Sequence, residues 1–296
     1  FSRGDPLTVY YGGEVSMAAM NIIGYDAFIP GNGDFYFGVG NLMKQTSFAK
    51  FPTILANVVY KETGKRLFQP YVIKEIAGVK IAILGLGFIR EDHPSGWQLK
   101  LQDPIAIAKE LVPALHEKAD LVVALTHIGL SDDERLAKEV PQIDVIVGGH
   151  SHDRLDKPLR IPRSAGNGEV IIVQAEDYGR FLGRLDLLLK SDESGKYNLV
   201  SYKGVLIPID GRIKEDEEIV NLLKRYSDPL SEVIRASKVA LANPESVYNN
   251  PMGRFVAEAL RVQTGADVAS LDRGAVQSGI KTGNVTIANV CQIHPW

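Results

Sequence analysis

The chain has 296 residues and a single cysteine, Cys291, so no internal disulfide can form and a disulfide-built scaffold is excluded. It has no basic excess: 33 Lys and Arg stand against 36 Asp and Glu, a formal net charge of −3. Sequence-independent nucleic-acid binding needs a basic face that displaces counterions, so no nucleic-acid partner is expected. No run approaches ~18 apolar residues, and no membrane span is predicted. Internal repeats and low-complexity stretches are missing too. Also missing are an initiating methionine and a readable signal peptide. The sequence starts at Phe1 and stops at Trp296, just after His294-Pro295. We therefore expect a segment of a longer chain, in which a missing targeting signal says nothing about location. What is present is ordinary for a globular protein: 45% hydrophobic and 23% charged residues, at a length that suggests about two domains.

Short apolar runs read as buried strands at 53–56, 79–85, 121–125, 144–147 and 170–173. Helical patterns lie between them. One covers 14–23 and is stopped by Gly24. Another covers 103–118, with Pro104 at its start and Ile105, Ala108, Leu111 and Leu115 near one face. A third covers 131–140 and opens Ser-Asp-Asp-Glu, which predicts Ser131 as its N-cap. Buried strands alternating with helices predict an α/β layered domain over residues 1–211. Within it, 181–190 and 197–206 have an antiparallel pattern. Residues 212–236 are charged, with a stripe of Ile219, Leu222, Leu223, Tyr226 and Leu230, and predict a linker helix. Residues 237–296 predict a helix at 251–264, a strand near 268–271 and another at 285–287. This last segment is short for an independent domain.

In an α/β sheet, ligands sit at the carboxyl ends of the strands. Three Gly-bordered polar loops follow predicted strands: Pro30-Gly31-Asn32-Gly33-Asp34, Thr126-His127-Ile128-Gly129 and Gly148-Gly149-His150-Ser151-His152-Asp153. On an extended backbone, residues two apart point to the same side, so His150 and His152 are expected to reach one centre. His127 adds a third imidazole and Asn32 a carbonyl oxygen. That mixed nitrogen and oxygen set suits Mn, Fe, Zn or Mg. Of the remaining histidines, His93 and His116 are expected at the surface or rim. Gly85-Leu86-Gly87 is too short a signal for a dinucleotide loop.

These motifs resemble the 5′-nucleotidase family of dinuclear metallophosphoesterases. The resemblance rests on Met20-Asn21-Ile22-Ile23-Gly24-Tyr25-Asp26-Ala27, Gly31-Asn32, Thr126-His127-Ile128-Gly129 and Gly148-Gly149-His150-Ser151-His152, in that order, and covers essentially the whole chain. It implies a four-layered α/β/β/α metallophosphatase domain, a linker helix and the start of an α+β C-terminal substrate-binding domain. It implies two divalent metals, with Asn32, His127 and His150 as ligands of one and His152 of the other. Such a pair activates a hydroxide for in-line attack on phosphorus. The implied substrate is a small phosphoester or nucleotide, and the implied location is periplasmic, secreted or at the cell surface.

The sequence departs from the family pattern in three places. The first-strand ligands are expected upstream of Phe1, and Asp5, in a Gly-Asp-Pro turn, is not expected to replace the bridging Asp. Gly33 stands where the family has its catalytic His, and Tyr36 where it has the Asp that orients that His. Losing one such stabilising group typically costs ~10²–10³ in rate. In the substrate domain, Gln277 stands where the family has a phosphate-binding Arg. No Arg is found near Ser246, where the family has a second one. Asp272, Arg273 and Trp296 remain as candidate substrate contacts, with His294 nearby. Two other readings stay open: a thiosulfohydrolase-like branch of the same family, and a catalytically inactive binding protein.

Overall fold

The computed structural model describes residues 5–93, 96–163, 168–193, 195–244 and 249–293. The chain forms two compact units. One contains residues 24–39 and 50–214; the other contains residues 1–23, 40–49 and 215–296.

The first unit is built on a six-stranded mixed sheet. Four parallel strands form its middle: β3 (Val79–Leu86), β5 (Leu121–Thr126), β6 (Val145–Val147) and β8 (Glu169–Val173). The antiparallel strands β2 (Tyr71–Ile76) and β7 (Leu159–Pro162) close its edges. The middle strands are almost wholly apolar because both of their faces are covered. Side chains alternate across the sheet. Ala82, Leu84, Leu86, Val122, Ala124, Ile146, Val170 and Ile172 thus share one face, where they are buried against two helices. The helices are α4 (Pro104–Lys118) and α5 (Leu130–Glu139). Each Leu or Ile buried there contributes ~1.5–3 kcal/mol. The opposite face meets an antiparallel hairpin, β9 (Phe181–Ser191) and β10 (Tyr197–Pro208). Val147 and Val173 from the sheet and Gly183, Leu185, Gly204 and Leu206 from the hairpin line a small apolar cavity between these layers. A short pair, β1 (Val58–Tyr60) with β4 (Leu99–Leu101), completes the unit.

Sequence and structure agree closely on α4, whose Asp103 cap accepts the Ile105 N–H at 2.8 Å. They differ at α5. Its N-cap is Gly129 at φ 92°, not Ser131, and Ser151 Oγ from a distant loop accepts the Leu130 N–H at 3.0 Å. Residues 53–56 are also not a regular strand. Ile54, Leu55 and Ala56 are fully buried but paired only through single bridges, Phe28 with Thr53 and Ile54 with Gln69. This segment lies directly on β3. A Cβ placed on Gly85 would sit 2.6 Å from the Ile54 carbonyl oxygen. Gly85→Ala is therefore expected to destabilise the protein by ~1–3 kcal/mol, read as a lower denaturation midpoint. An unchanged midpoint would mean that the two backbones can separate freely.

In the second unit, α1 (Pro6–Tyr11) is capped by Asp5, whose carboxylate accepts the Leu7 and Thr8 N–H groups at 2.9 and 3.1 Å. Next come α2 (Glu14–Ile23) and most of α3 (Val39–Ser47), followed by α6 (Glu217–Leu230). The ring of Tyr226 on α6 meets Tyr11 edge-on at 4.8 Å and its hydroxyl donates to Glu14 Oε1 at 2.7 Å. Burial, then that hydrogen bond, pushes the Tyr226 phenol up to about 12. The expected helix over 212–236 is thus shorter. After Pro229 and Ser231 the chain turns into β11 (Val233–Ser237), whose β-branched residues pair with β12 (Gly283–Thr286). The expected strand at 268–271 is not formed: these residues make no ladder among the described residues and Val268 is exposed, while β12 pairs with β11. The helix α7 (Pro251–Thr264) falls where its pattern predicts, with Asn250 as N-cap, and α8 (Ile287–Ile293) follows β12. Met252, Val276 and Ile293 form this unit's own small core.

Candidate metal centre and its surroundings

The carboxyl ends of β3, β5 and β6 carry the candidate site. His127 directly follows β5, and its N–H continues the sheet by donating to the Leu86 carbonyl at 2.8 Å. Gly148 and Gly149 carry the chain from β6 to His150. Asn32 opens a single 3-10 turn, Asn32–Phe35, capped from inside by buried Asp34, whose Oδ2 accepts the Gly31 N–H at 2.8 Å.

Three donor atoms converge. Asn32 Oδ1 lies 3.0 Å from His127 Nε2 and 3.2 Å from His150 Nδ1, and the two ring nitrogens are 3.3 Å apart. For ligands about 2.0–2.2 Å from a divalent metal, neighbouring donors are about 3.0–3.5 Å apart, so this triangle has the edge lengths of a coordination polyhedron. The His127 ring is wedged between two glycines. A Cβ on Gly31 would lie 2.7 Å from its Cε1, and one on Gly149 would lie 3.3 Å from its Nδ1. Burial, with His150 second, pushes His127 down to about 4, and burial followed by His152 lowers His150. Both imidazoles are therefore neutral near pH 7, the form that binds metal. The residues present fit a metal as an N₂O set. Among the described residues, no group of three or more His, Cys, Asp or Glu is arranged to hold one, so the amide of Asn32 is needed to complete the trio.

His152 does not join this triangle in the way an extended backbone would require. His150 and His152 both have left-handed backbones, at φ 80° and 62°. The loop is curled rather than extended, so the extended-backbone argument that placed His150 and His152 on one side does not apply. His152 is more than half exposed, and its Nδ1 pairs with Asp177 Oδ2 at 3.1 Å.

Two residues that shape this loop carry no local mark in the sequence. Gln174 is buried at 4% exposure. Its Oε1 accepts from the Asp153 N–H at 3.0 Å and from Ser151 Oγ at 3.2 Å, and its Nε2 donates to the Gly149 carbonyl at 3.4 Å. Gln174→Ala is expected to lower metal affinity ~10–100-fold, measured by Mn or Zn titration, because the loop that aims His150 loses its clamp. Unchanged affinity would show that the backbone holds itself. Asp133 is fully buried on α5. It accepts the Thr126 hydroxyl at 2.7 Å through Oδ1, while Oδ2 has no hydrogen-bond partner among the described residues and faces Gly148, where any Cβ would collide with it. It thus packs beneath both histidine loops. Sequence alone offered only the seven-residue spacing from Thr126 as a signal.

Phe88 packs against His150 with centroids 5.0 Å apart. Gly33 lies within the 3-10 turn, and Tyr36 just follows it. The half-buried His93 ring lies against Tyr36, with centroids 5.1 Å apart and a 36° tilt. Asp272 and Arg273 belong to the other unit. There Asp272 caps a short turn through the Gly274 N–H at 2.7 Å, and both line a polar pocket of about 350 Å³ with Arg254. Trp296, His294 and Ser246 lie outside the described residues.

The family model for calcineurin-like phosphoesterases matches residues 1–154, more than half of the chain. The chain belongs to the calcineurin-like phosphoesterase family. Phosphoesterases of this family use divalent metals. A 5′-nucleotidase of Vibrio cholerae is 30% identical over 350 residues, covering 100% of this chain and 62% of that protein. The crystal structure of a 5′-nucleotidase precursor from Thermus thermophilus is similar with a TM-score of 0.71 at 26% identity, covering 99% of this chain and 62% of that one. The structure of a sulfate thiohydrolase from Thermus thermophilus gives a TM-score of 0.68 at 20% identity, covering 99% of this chain and 53% of that one, a likeness of fold alone. The chain thus spans 62% of the length of the Vibrio protein. The central mixed sheet is that of the metallophosphatase fold, as the motifs led us to expect. No described helix is long and apolar enough to cross a membrane.

Proposed function

We propose that this protein is a metal-dependent hydrolase of small phosphoesters, 5′-nucleotidase-like in its substrate class. The observation that carries the reading is the convergence of Asn32 Oδ1, His127 Nε2 and His150 Nδ1 within 3.0–3.3 Å at the carboxyl ends of β5 and β6. Asn32, His127 and His150 would hold one metal, and His152 would contribute to a second centre. A divalent metal supplies Lewis acidity toward phosphoryl oxygen and lowers the pKa of water. The donor set suits Mn, Zn, Fe or Mg. The chain's own work is to keep both imidazoles neutral, to hold His127 between Gly31 and Gly149, and to lock the His150 loop through Gln174. Residues 237–296 open the substrate-binding domain, with Asp272 and Arg273 on its ligand side. The compartment that goes with this reading is periplasmic, secreted or cell-surface.

The test is metal analysis combined with hydrolysis of nucleotides and a generic phosphodiester. The reading expects turnover that a chelator abolishes and Mn or Zn restores. A protein that binds neither metal and cleaves none of these substrates would sink it.

A further inference from the structure

The three donor loops meet around Gly87, a buried residue that directly follows β3. One residue back, the Leu86 carbonyl accepts the His127 N–H at 2.8 Å. One residue on, the half-buried Phe88 ring lies against the His150 imidazole, with centroids 5.0 Å apart and a 45° tilt. Toward the third loop there is little spare room. A Cβ on Gly87 would lie 2.7 Å from Leu55 Cδ1 and 3.6 Å from the carbonyl oxygen of Pro30, two residues before Asn32.

The side chain that holds Gly87 is Asn57. It is fully buried and directly precedes β1. Its Oδ1 accepts the Gly87 N–H at 2.8 Å, and its Nδ2 donates to the Gly87 carbonyl at 2.8 Å. The amide thus pairs with both backbone groups of one residue, as a strand neighbour does in an antiparallel hydrogen-bonded pair. Nδ2 also donates to the Gln102 carbonyl at 3.1 Å, and the Gln102 N–H donates to the Asn57 carbonyl at 2.8 Å, which ties the clamp to the end of β4. The ladders of β3 stop at Leu84 toward β2 and at Leu86 toward β5. Gly87 lies beyond both, so Asn57 supplies the pairing that a strand would otherwise give its buried N–H and C=O. Only an amide can do this, because it carries a donor and an acceptor side by side, whereas a carboxylate only accepts.

We propose that Asn57 is a positioning residue of the metal centre, acting through Gly87 and Phe88 to fix the His150 imidazole against His127 and Asn32. The inference rests on the proposed function in taking those three residues as the donor set. Groups that orient a ligand from behind change metal affinity by ~10–100-fold.

Asn57→Asp keeps the shape and the acceptor for the Gly87 N–H but turns an oxygen onto the Gly87 and Gln102 carbonyls. Phe88→Leu keeps the clamp and takes the ring off His150. Three quantities are read on the full chain: the thermal midpoint without metal, the Mn affinity by titration, and the visible absorption of the Co-loaded protein, which reports the geometry of the bound donors. Asn57→Asp should lower Mn affinity by ~10–100-fold and Phe88→Leu by up to ~10-fold, and both should alter the Co spectrum. Ile143→Ala is the control. Ile143 is fully buried just before the amino end of β6, so its loss should lower the thermal midpoint and leave affinity and spectrum as in wild type. The inference is overturned if Asn57→Asp behaves like this control, with Mn affinity within about twofold and an unchanged spectrum. It is equally overturned if Phe88→Leu leaves both readouts unchanged, and Phe88→Leu alone decides should Asn57→Asp not fold. Neither readout needs turnover. A wild-type chain that binds neither Mn nor Co would defeat the metal-centre reading itself, and this inference with it.

Discussion

His127→Ala should remove metal from the protein and with it essentially all metal-supported phosphoester hydrolysis. Of the three converging donors, His127 is the most constrained: it is wedged between two glycine backbones and within 3.0–3.3 Å of the other two. Losing a residue that merely supports a ligand costs ~10–100-fold in affinity, so losing the ligand itself should cost more than ~100-fold, with a comparable fall in kcat/KM. Metal stoichiometry by elemental analysis and hydrolysis at saturating Mn check it. His152→Ala, at an exposed position paired with Asp177, should leave more metal bound than His127→Ala does. If His127→Ala retains full metal content, the ligand assignment is wrong.

Asp133→Asn should change how stability depends on pH, by ~4 kcal/mol across the range in which the carboxyl titrates. Burial pushes the Asp133 carboxyl from its ordinary value of 3.8 up to about 7, against the lowering effect of the Thr126 hydrogen bond. Between these values the folded state binds more protons than the unfolded one. Stability from this group is therefore fully present below about pH 4 and lost as pH rises to about 7, at ~1.4 kcal/mol for each pH unit crossed. His127 acts in the opposite sense. It is lowered from 6.5 to about 4, so in metal-free protein its contribution is present above about pH 6.5 and lost, by ~3 kcal/mol, as pH falls to about 4. The two nearly cancel in the wild type. Asn at position 133 keeps an oxygen for Thr126 but cannot ionise, so it leaves the His127 dependence exposed. Urea unfolding of metal-free wild type and Asp133→Asn at pH 4.5 and 7.5 tests this. The variant's stability relative to wild type should rise by a few kcal/mol between the two. An equal difference at both would show that Asp133 does not titrate in this range.

The parts of the site legible in the sequence were those that local chemistry marks. Glycines flanking a His-Ser-His run, a Thr-His after an apolar run and an Asn after Pro-Gly all lie within loops, and a strand's carboxyl end is a place where ligands gather. Gln174 and Asp133 were not legible as functional positions. Gln174 lies at the end of a different strand from the loop it clamps, and Asp133 meets Thr126 and Gly148 only through the packing of α5 against the sheet. The curl at His150 and His152 was hidden for a related reason. Left-handed backbones at non-glycine residues are uncommon and are held here by hydrogen bonds from Gln174 and by the Gly129–Gly149 contact at 3.1 Å, not by local preference.

By itself, the sequence determined the α/β class, the helices α2, α4 and α7, most of the buried strands and the three loops that hold the donors. These follow from periodicity and capping, which act over a few residues. Only the tertiary structure decided that the first two helices group with residues 215–296 and that 53–56 lies as an irregular strip on Gly85. Those outcomes depend on which buried surfaces meet across long sequence separations. Close packing leaves few ways to join them, and no local pattern records which one is taken.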